Sequence, residues 1–199
     1  KEAVHTSARD SALRVLDDLK SKKKLLEQKP ASLKDFATFV QEKNVIEEGL
    51  RDTLANAATV EEIYKLIQQF DVKISTSESV KVDELRETAA KFQDFLGTAS
   101  TEIGAKMSAM QVVLTDNVNQ LNQEIQEVFN DLKVGMSISA GHSSEDVLHY
   151  LDTISENLNA SNERATTFNE YAALFKAAPF DCSIVQTATE FHAERLELW

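Results

Sequence analysis

Between Val82 and Leu132 apolar side chains recur at steps of three and four: Val82, Leu85, Ala89, Phe92, Leu96, Ala99, Ile103, Met107, Met110, Leu114, Val118, Leu121, Ile125, Val128 and Leu132. That spacing is one face of an α-helix. It predicts a helix from about Val80 to Val134. The striped part alone would measure about 75–80 Å at ~1.5 Å per residue, whereas ordinary globular helices run to about 20 residues. Gly97 and Gly104 lie inside the stripe, beside two consecutive four-residue steps from Ala99 to Ile103 to Met107. Such a stutter locally unwinds a supercoil, so a bend is expected there.

The flanking segments carry shorter patterns. A first helix is expected over residues 3–28, with Val4, Ala8, Leu13, Leu16, Leu19 and Leu26 inward and Pro30 ending it. Ser32 with Asp35 three residues on suits a helix start. That helix carries Leu33, Phe36, Phe39, Val40, Ile46, Leu50 and Leu54 and should fade near Ala58. Thr59 is expected to cap the next one, which carries Val60, Ile63, Tyr64, Leu66, Ile67 and Phe70. Asp71–Ser79 is expected to connect it to the long helix, with Val72 and Ile74 tucked inward.

Gly135–Ser143 has loop composition, and Ser144 is expected to cap a helix striped by Val147, Leu151, Ile154, Leu158, Ser161, Ala165, Phe168, Ala172 and Phe175. Those steps alternate four and three without a fault, the heptad spacing. Pro179 breaks it, and Ser183 with Gln186 predicts a capping box for a last helix bearing Ile184, Val185, Ala188, Phe191, Leu196, Leu198 and Trp199. The expectation is an all-α, elongated antiparallel helical bundle of about six helices with one very long helix at about 80–134. No repeat of fixed period is visible.

Composition narrows the functional classes. Gly and Pro number only 5 and 2, which disfavours hairpin-rich β architecture. The net charge of −12 repels phosphate backbones and argues against a nucleic-acid partner. Lys20, Lys22, Lys23 and Lys24 form the one basic cluster, read as a solvated helix face. A lone cysteine, Cys182, points to a reducing compartment, and no apolar run is long enough for a membrane span. The chain opens mid-helix at Lys1 and closes on Trp199 without a stop signal, so a piece of something larger is expected.

The candidates for chemistry are few. The four histidines, His5, His142, His149 and His192, supply no paired Glu-x-x-His and no His-Glu-x-x-His. Glu145 with His149 and Glu190 with His192 read as ordinary surface pairs. Cys182 and His192 lie ten residues apart without a third orienting group, and Cys182 reads as a small buried hydrophobe. No phosphate loop or Gly-x-Gly-x-x-Gly occurs. Asn159-Ala160-Ser161 matches a glycosylation sequon but falls mid-helix, with Ser161 on the apolar face, where a polar residue can set helix register. Met107 and Met110 read as core filler, and Trp199 as an anchor for further structure. No catalytic, cofactor or metal residue is expected.

Several segments in their order carry a resemblance: SLKDFATFV at Ser32–Val40, VEEIYKLIQQFDVKIS at Val60–Ser75, FNEYAALF at Phe168–Phe175 and LELW at Leu196–Trp199. The chain resembles the dynein heavy chain family, axonemal type, where the tail leads into the linker of the motor. Members commonly show Asn-x-x-x-x-Leu-Phe, a short proline-containing turn, and a helix ending in Leu-Trp. Asn169, Leu174, Phe175, Leu198 and Trp199 match that element. The chain departs from the usual Gly-Leu-Pro after Leu-Phe, with Lys176-Ala177-Ala178 and proline at 179.

The resemblance implies a tail segment that passes force between the linker and the cargo- or doublet-bound base of a minus-end-directed microtubule motor. Its ATP and magnesium sites would lie elsewhere in the parent chain. It implies a division into 1–29, continuing an upstream tail bundle, 30–182, the tail bundle, and 183–199, leading into the linker. Leu174, Phe175, Leu196, Leu198 and Trp199 would form the junction to the linker. The implied partners are the linker and upstream tail, other heavy chains, and intermediate and light chains, with the microtubule only indirect. Cytoplasm, cytoskeleton and the axoneme of a cilium or flagellum are the implied locations. A spectrin-like helical scaffold or adaptor is the alternative, and a soluble helical enzyme or metal-binding bundle the third reading.

Overall fold

The computed structural model describes residues 2–70, 73–139 and 141–199, with side chains from His5 onward. The described residues form α1 (Glu2–Leu26), α2 (Leu33–Glu48), α3 (Leu50–Gln69), α4 (Thr76–Val134), a 3-10 turn at Met136–Ile138, α5 (Ser144–Leu174) and α6 (Ser183–Leu198). They include no strand, so the all-α class and six helices stand as expected. Every member of the long stripe is buried or half-buried, and α4 stays helical through Gly97 and Gly104. By packing, the chain falls into two compact units, Lys1–Lys106 and Met107–Trp199. α4 contributes residues to both.

In the first unit, three contacts run in step along α1 and α4. His5 reaches Glu78, Lys20 reaches Glu84, and Lys23 lies over the Phe95 ring, so the two helices run parallel. α3 opposes both, since Tyr64 meets Glu78, Glu61 meets Arg86 and Thr53 meets Lys22. Leu16, Leu19, Phe36, Leu85 and Phe92 are at most 1% exposed and form the centre of this core. Burying each such side chain is worth about 1.5–3 kcal/mol.

In the second unit, too, one helix runs against two others, without a counterpart of α2. Asp131 pairs with Tyr150, Glu124 with Arg164 and Gln111 with the Phe175 carbonyl, so α5 runs antiparallel to α4. Asn122 meets Asp181, and Phe129 meets Phe191 edge-on at 5.3 Å, so α6 runs parallel to α4. Leu121, Ile125, Leu132, Val147 and Leu151, all at most 1% exposed, fill the space between them.

Local expectations divide. Ser32 caps α2 in a full capping box, its Oγ accepting the Asp35 N–H while Asp35 accepts the Ser32 N–H. The next break, however, falls at Gly49 and not at Ala58. Glycine is the weakest helix former here apart from proline, whereas Thr59 stays within α3 by donating its hydroxyl to the Ala55 carbonyl. α4 starts four residues early, at Thr76: the Ser75 hydroxyl accepts the Glu78 N–H, an N-terminal cap that lets Thr76–Ser79 join the helix. Ser143 caps α5 in place of Ser144, because Ser143 is the residue in extended conformation. Ser183 builds no capping box. Asp181 Oδ1 accepts its N–H, and Gln186 turns to Glu190.

Side-chain placement corrects two stripes. Ala12 and not Leu13 faces inward on α1, since 8, 12, 16 and 19 hold the helical phase and position 13 leads it by one residue. On α3, Leu66 and Phe70 are 53% and 65% exposed, while Val60, Tyr64 and Ile67 are buried. Leu33, Leu50 and Leu54 are half-buried, as is Ile74. Asp71 and Val72, and the Val4 side chain, lie outside the described residues.

Candidate functional site

The residues expected at the linker junction fall at the end of α5 and at the end of α6. Phe175 closes α5, is 2% exposed, and stacks on Tyr171 at 6.3 Å. Leu174 beside it is half-buried. At the other end Leu196 and Leu198 are exposed, and Trp199 donates its indole N–H to the Ser137 carbonyl at 2.7 Å. The structure therefore groups Leu174 with Phe175, and Leu196 with Leu198 and Trp199, but separates the two groups by the length of α6.

Asn169 and Phe175 bracket the turn between α5 and α6. After Phe175 the chain enters the left-handed region at Lys176, with φ 55°. The Lys176 N–H then bonds the Ala173 carbonyl and the Ala177 N–H bonds the Ala172 carbonyl, the pairing of a Schellman stop. Cys182 precedes α6 as a half-buried thiol pushed up by burial and then by the Asp181 charge. A thiol so placed is a poor nucleophile. His192 lends it no help, because the ring is buried and its Nε2 meets the Leu151 carbonyl at 2.8 Å. This corrects the reading of Glu190 and His192 as a surface pair, since position 192 follows Val185 and Ala188 in the inward phase.

A second polar grouping, which the sequence reading missed, ties three helices of the first unit together. Glu78 of α4 is 8% exposed. The Tyr64 hydroxyl of α3 donates to its Oε1 at 2.5 Å, and His5 Nε2 of α1 stands 2.9 and 3.1 Å from its two carboxyl oxygens. Burial, then the hydrogen bond to Glu78 and its charge, hold the Tyr64 phenol well above the ordinary range, with Arg9 opposing. A groove of about 270 Å³ runs alongside, lined in part by Arg9, Leu13, Ser77 and Lys81. With both carboxyl oxygens engaged, the grouping acts as a polar tie between helices. The signal was present: Glu78 lies four residues before Val82, on the phase of the apolar stripe.

The remaining candidates lie apart. His142 and His149 are exposed, Met107 and Met110 half-buried, Asn159 exposed in mid-α5, and Ser161 half-buried. Lys20, Lys22 and Lys23 of the basic cluster all have partners, in Glu84, Asp18 with Thr53, and Glu27. Among the described residues no group of three or more His, Cys, Asp or Glu side chains is placed to hold a metal. No helix among them is long and apolar enough to cross a membrane. No protein-family model matches the chain, and no curated protein matches it.

Proposed function

We propose that this chain is a structural segment of a dynein heavy chain tail, of axonemal type, which passes force between the motor's linker and the base that holds cargo or a doublet microtubule. The observation that carries the reading is the α5–α6 turn. The residues that match the family element, Asn169, Leu174 and Phe175, converge on it, and Leu198-Trp199 closes the helix that leaves it. The internal construction of each unit suits a load-bearing role: a close-packed seam of helices resists deformation, as protein interiors do. On this reading ATP hydrolysis belongs to other parts of the parent chain, the neighbours are other heavy, intermediate and light chains, and the place of action is the cytoskeleton of a cilium or flagellum. The test is the reading frame downstream of Trp199 in the source transcript. A long helical linker followed by several Gly-x-x-x-x-Gly-Lys-Ser/Thr phosphate loops is expected. A frame without them overturns the proposal.

A specific observation favours a second reading, the spectrin-like scaffold. In each unit one helix runs against two others, α3 against α1 and α4 in the first and α5 against α4 and α6 in the second, with α2 as a fourth helix of the first unit. The same transcript separates the two, because a scaffold would continue as further three-helix units at a regular period.

A further inference from the structure

The α5–α6 connection is held by amide side chains from two helices. Asn169 of α5 meets one residue twice: its Oδ1 accepts the Phe180 N–H at 2.7 Å, and its Nδ2 donates to the Phe180 carbonyl at 3.4 Å. From α4, Gln111 donates to the Phe175 carbonyl at 3.0 Å and Asn122 to the Asp181 carbonyl at 3.4 Å. The first residue of the turn and two near its end, Phe180 and Asp181, thus each have a side-chain partner. Backbone groups pressed against helices need such partners, since leaving them bare is costly. The amide serves Phe180 in both directions, which a carboxylate, with no donor, or an alkyl chain, with neither donor nor acceptor, cannot do.

We propose that Asn169 is a latch: it keeps the 175–182 connection closed as a preformed joint, so that α6 takes its direction from the turn as well as from its apolar face, and removing the latch opens this joint locally. The proposal rests on the geometry of the turn and is independent of the motor-tail reading. Asn169 is a positioning residue, and the reporter is built in. Cys182 is the one cysteine of the chain, half-buried at the start of α6 and next to the Asp181 carbonyl that Asn122 holds.

The experiment measures the rate at which iodoacetamide alkylates Cys182 in the 199-residue chain at one fixed pH, without denaturant and then in low urea. Asn169→Ala is expected to raise the rate about five- to thirtyfold, the effect of losing one to two hydrogen bonds, with the far-UV circular dichroism unchanged. The increase should be flat in low urea, because opening one turn exposes little surface. Gln111→Ala, which removes one bond, should give a smaller rise of the same kind and serves if the first variant does not fold. Trp199→Phe, which breaks a contact at the far end of α6, should leave the rate at the wild-type value. A rate within twofold of wild type for Asn169→Ala, or an increase that climbs with urea as global unfolding does, overturns the latch.

Discussion

Alanine at Gly135 tests how α4 ends. Gly135 is the first residue past the helix, and its N–H bonds the Asp131 carbonyl at 2.6 Å. A β-carbon there would stand 2.4 Å from that same carbonyl oxygen and 3.1 Å from the Tyr150 hydroxyl. The first atom is backbone and cannot turn aside. The second belongs to a hydroxyl that donates to Asp131 at 3.0 Å, so relief on that side sacrifices a hydrogen bond. Overpacking costs about 1–3 kcal/mol and the lost bond about 1. Alanine recovers about 0.4–1 kcal/mol by restricting the unfolded chain. The second unit should therefore lose about 1–3 kcal/mol, the sum of those effects. Gly97 and Gly104 are the controls on the same helix, since a β-carbon at either meets nothing within 4 Å. Each alanine there should add about 0.5–1 kcal/mol through helix propensity alone. Urea titrations followed by circular dichroism report both units, and fluorescence of the one tryptophan, Trp199, reports the second. A neutral Gly135→Ala, or a destabilising Gly97→Ala, would refute the reasoning.

Other outcomes follow from the same geometry. Lys176 holds φ 55° with an exposed side chain, a conformation costing a non-glycine residue about 1–2 kcal/mol, so Lys176→Gly should stabilise by about 0.5–1 after glycine's entropy is counted; an unchanged urea midpoint would count against it. The Tyr150 phenol is pushed up to about 12 by burial and then by its bond to Asp131. A group raised in the fold contributes stability in full below its unfolded value near 10 and loses it as pH climbs through the folded value, so the second unit should weaken between about pH 10 and 12, and Tyr150→Phe should flatten that decline in Trp199 fluorescence. Leu121, fully buried, should cost about 2–5 kcal/mol as alanine, against less than about 0.5 for Leu198→Ala at 69% exposure, read in the same titrations. The Arg164 hydrogen bond chiefly lowers the Glu124 carboxyl, so Arg164→Met should move that carboxyl back up in a carbon-13 NMR titration.

The sequence by itself determined the helices and most of their buried faces, because a period of 3.6 residues is a local property that any apolar stripe displays. The α4 stripe and the α5 heptads lie in the structure where their spacing places them. Even the buried polar residues were marked by phase: Thr53, Glu78 and His192 each stand on an inward position of their helix. What each of them bonds to was not legible, because His5 lies 73 residues from Glu78, and Leu151 lies 41 from His192. The break at Gly49, the cap at Ser143 and the bond from Ser183 N–H to Asp181 also escaped, since several neighbouring residues offer similar cap chemistry. The helix directions within each unit and the grip of Asn169 on Phe180 emerge only in three dimensions. Such pairings depend on which helices meet, and a side chain's hydrogen-bond partner follows from distance in space, which no periodicity along the chain encodes.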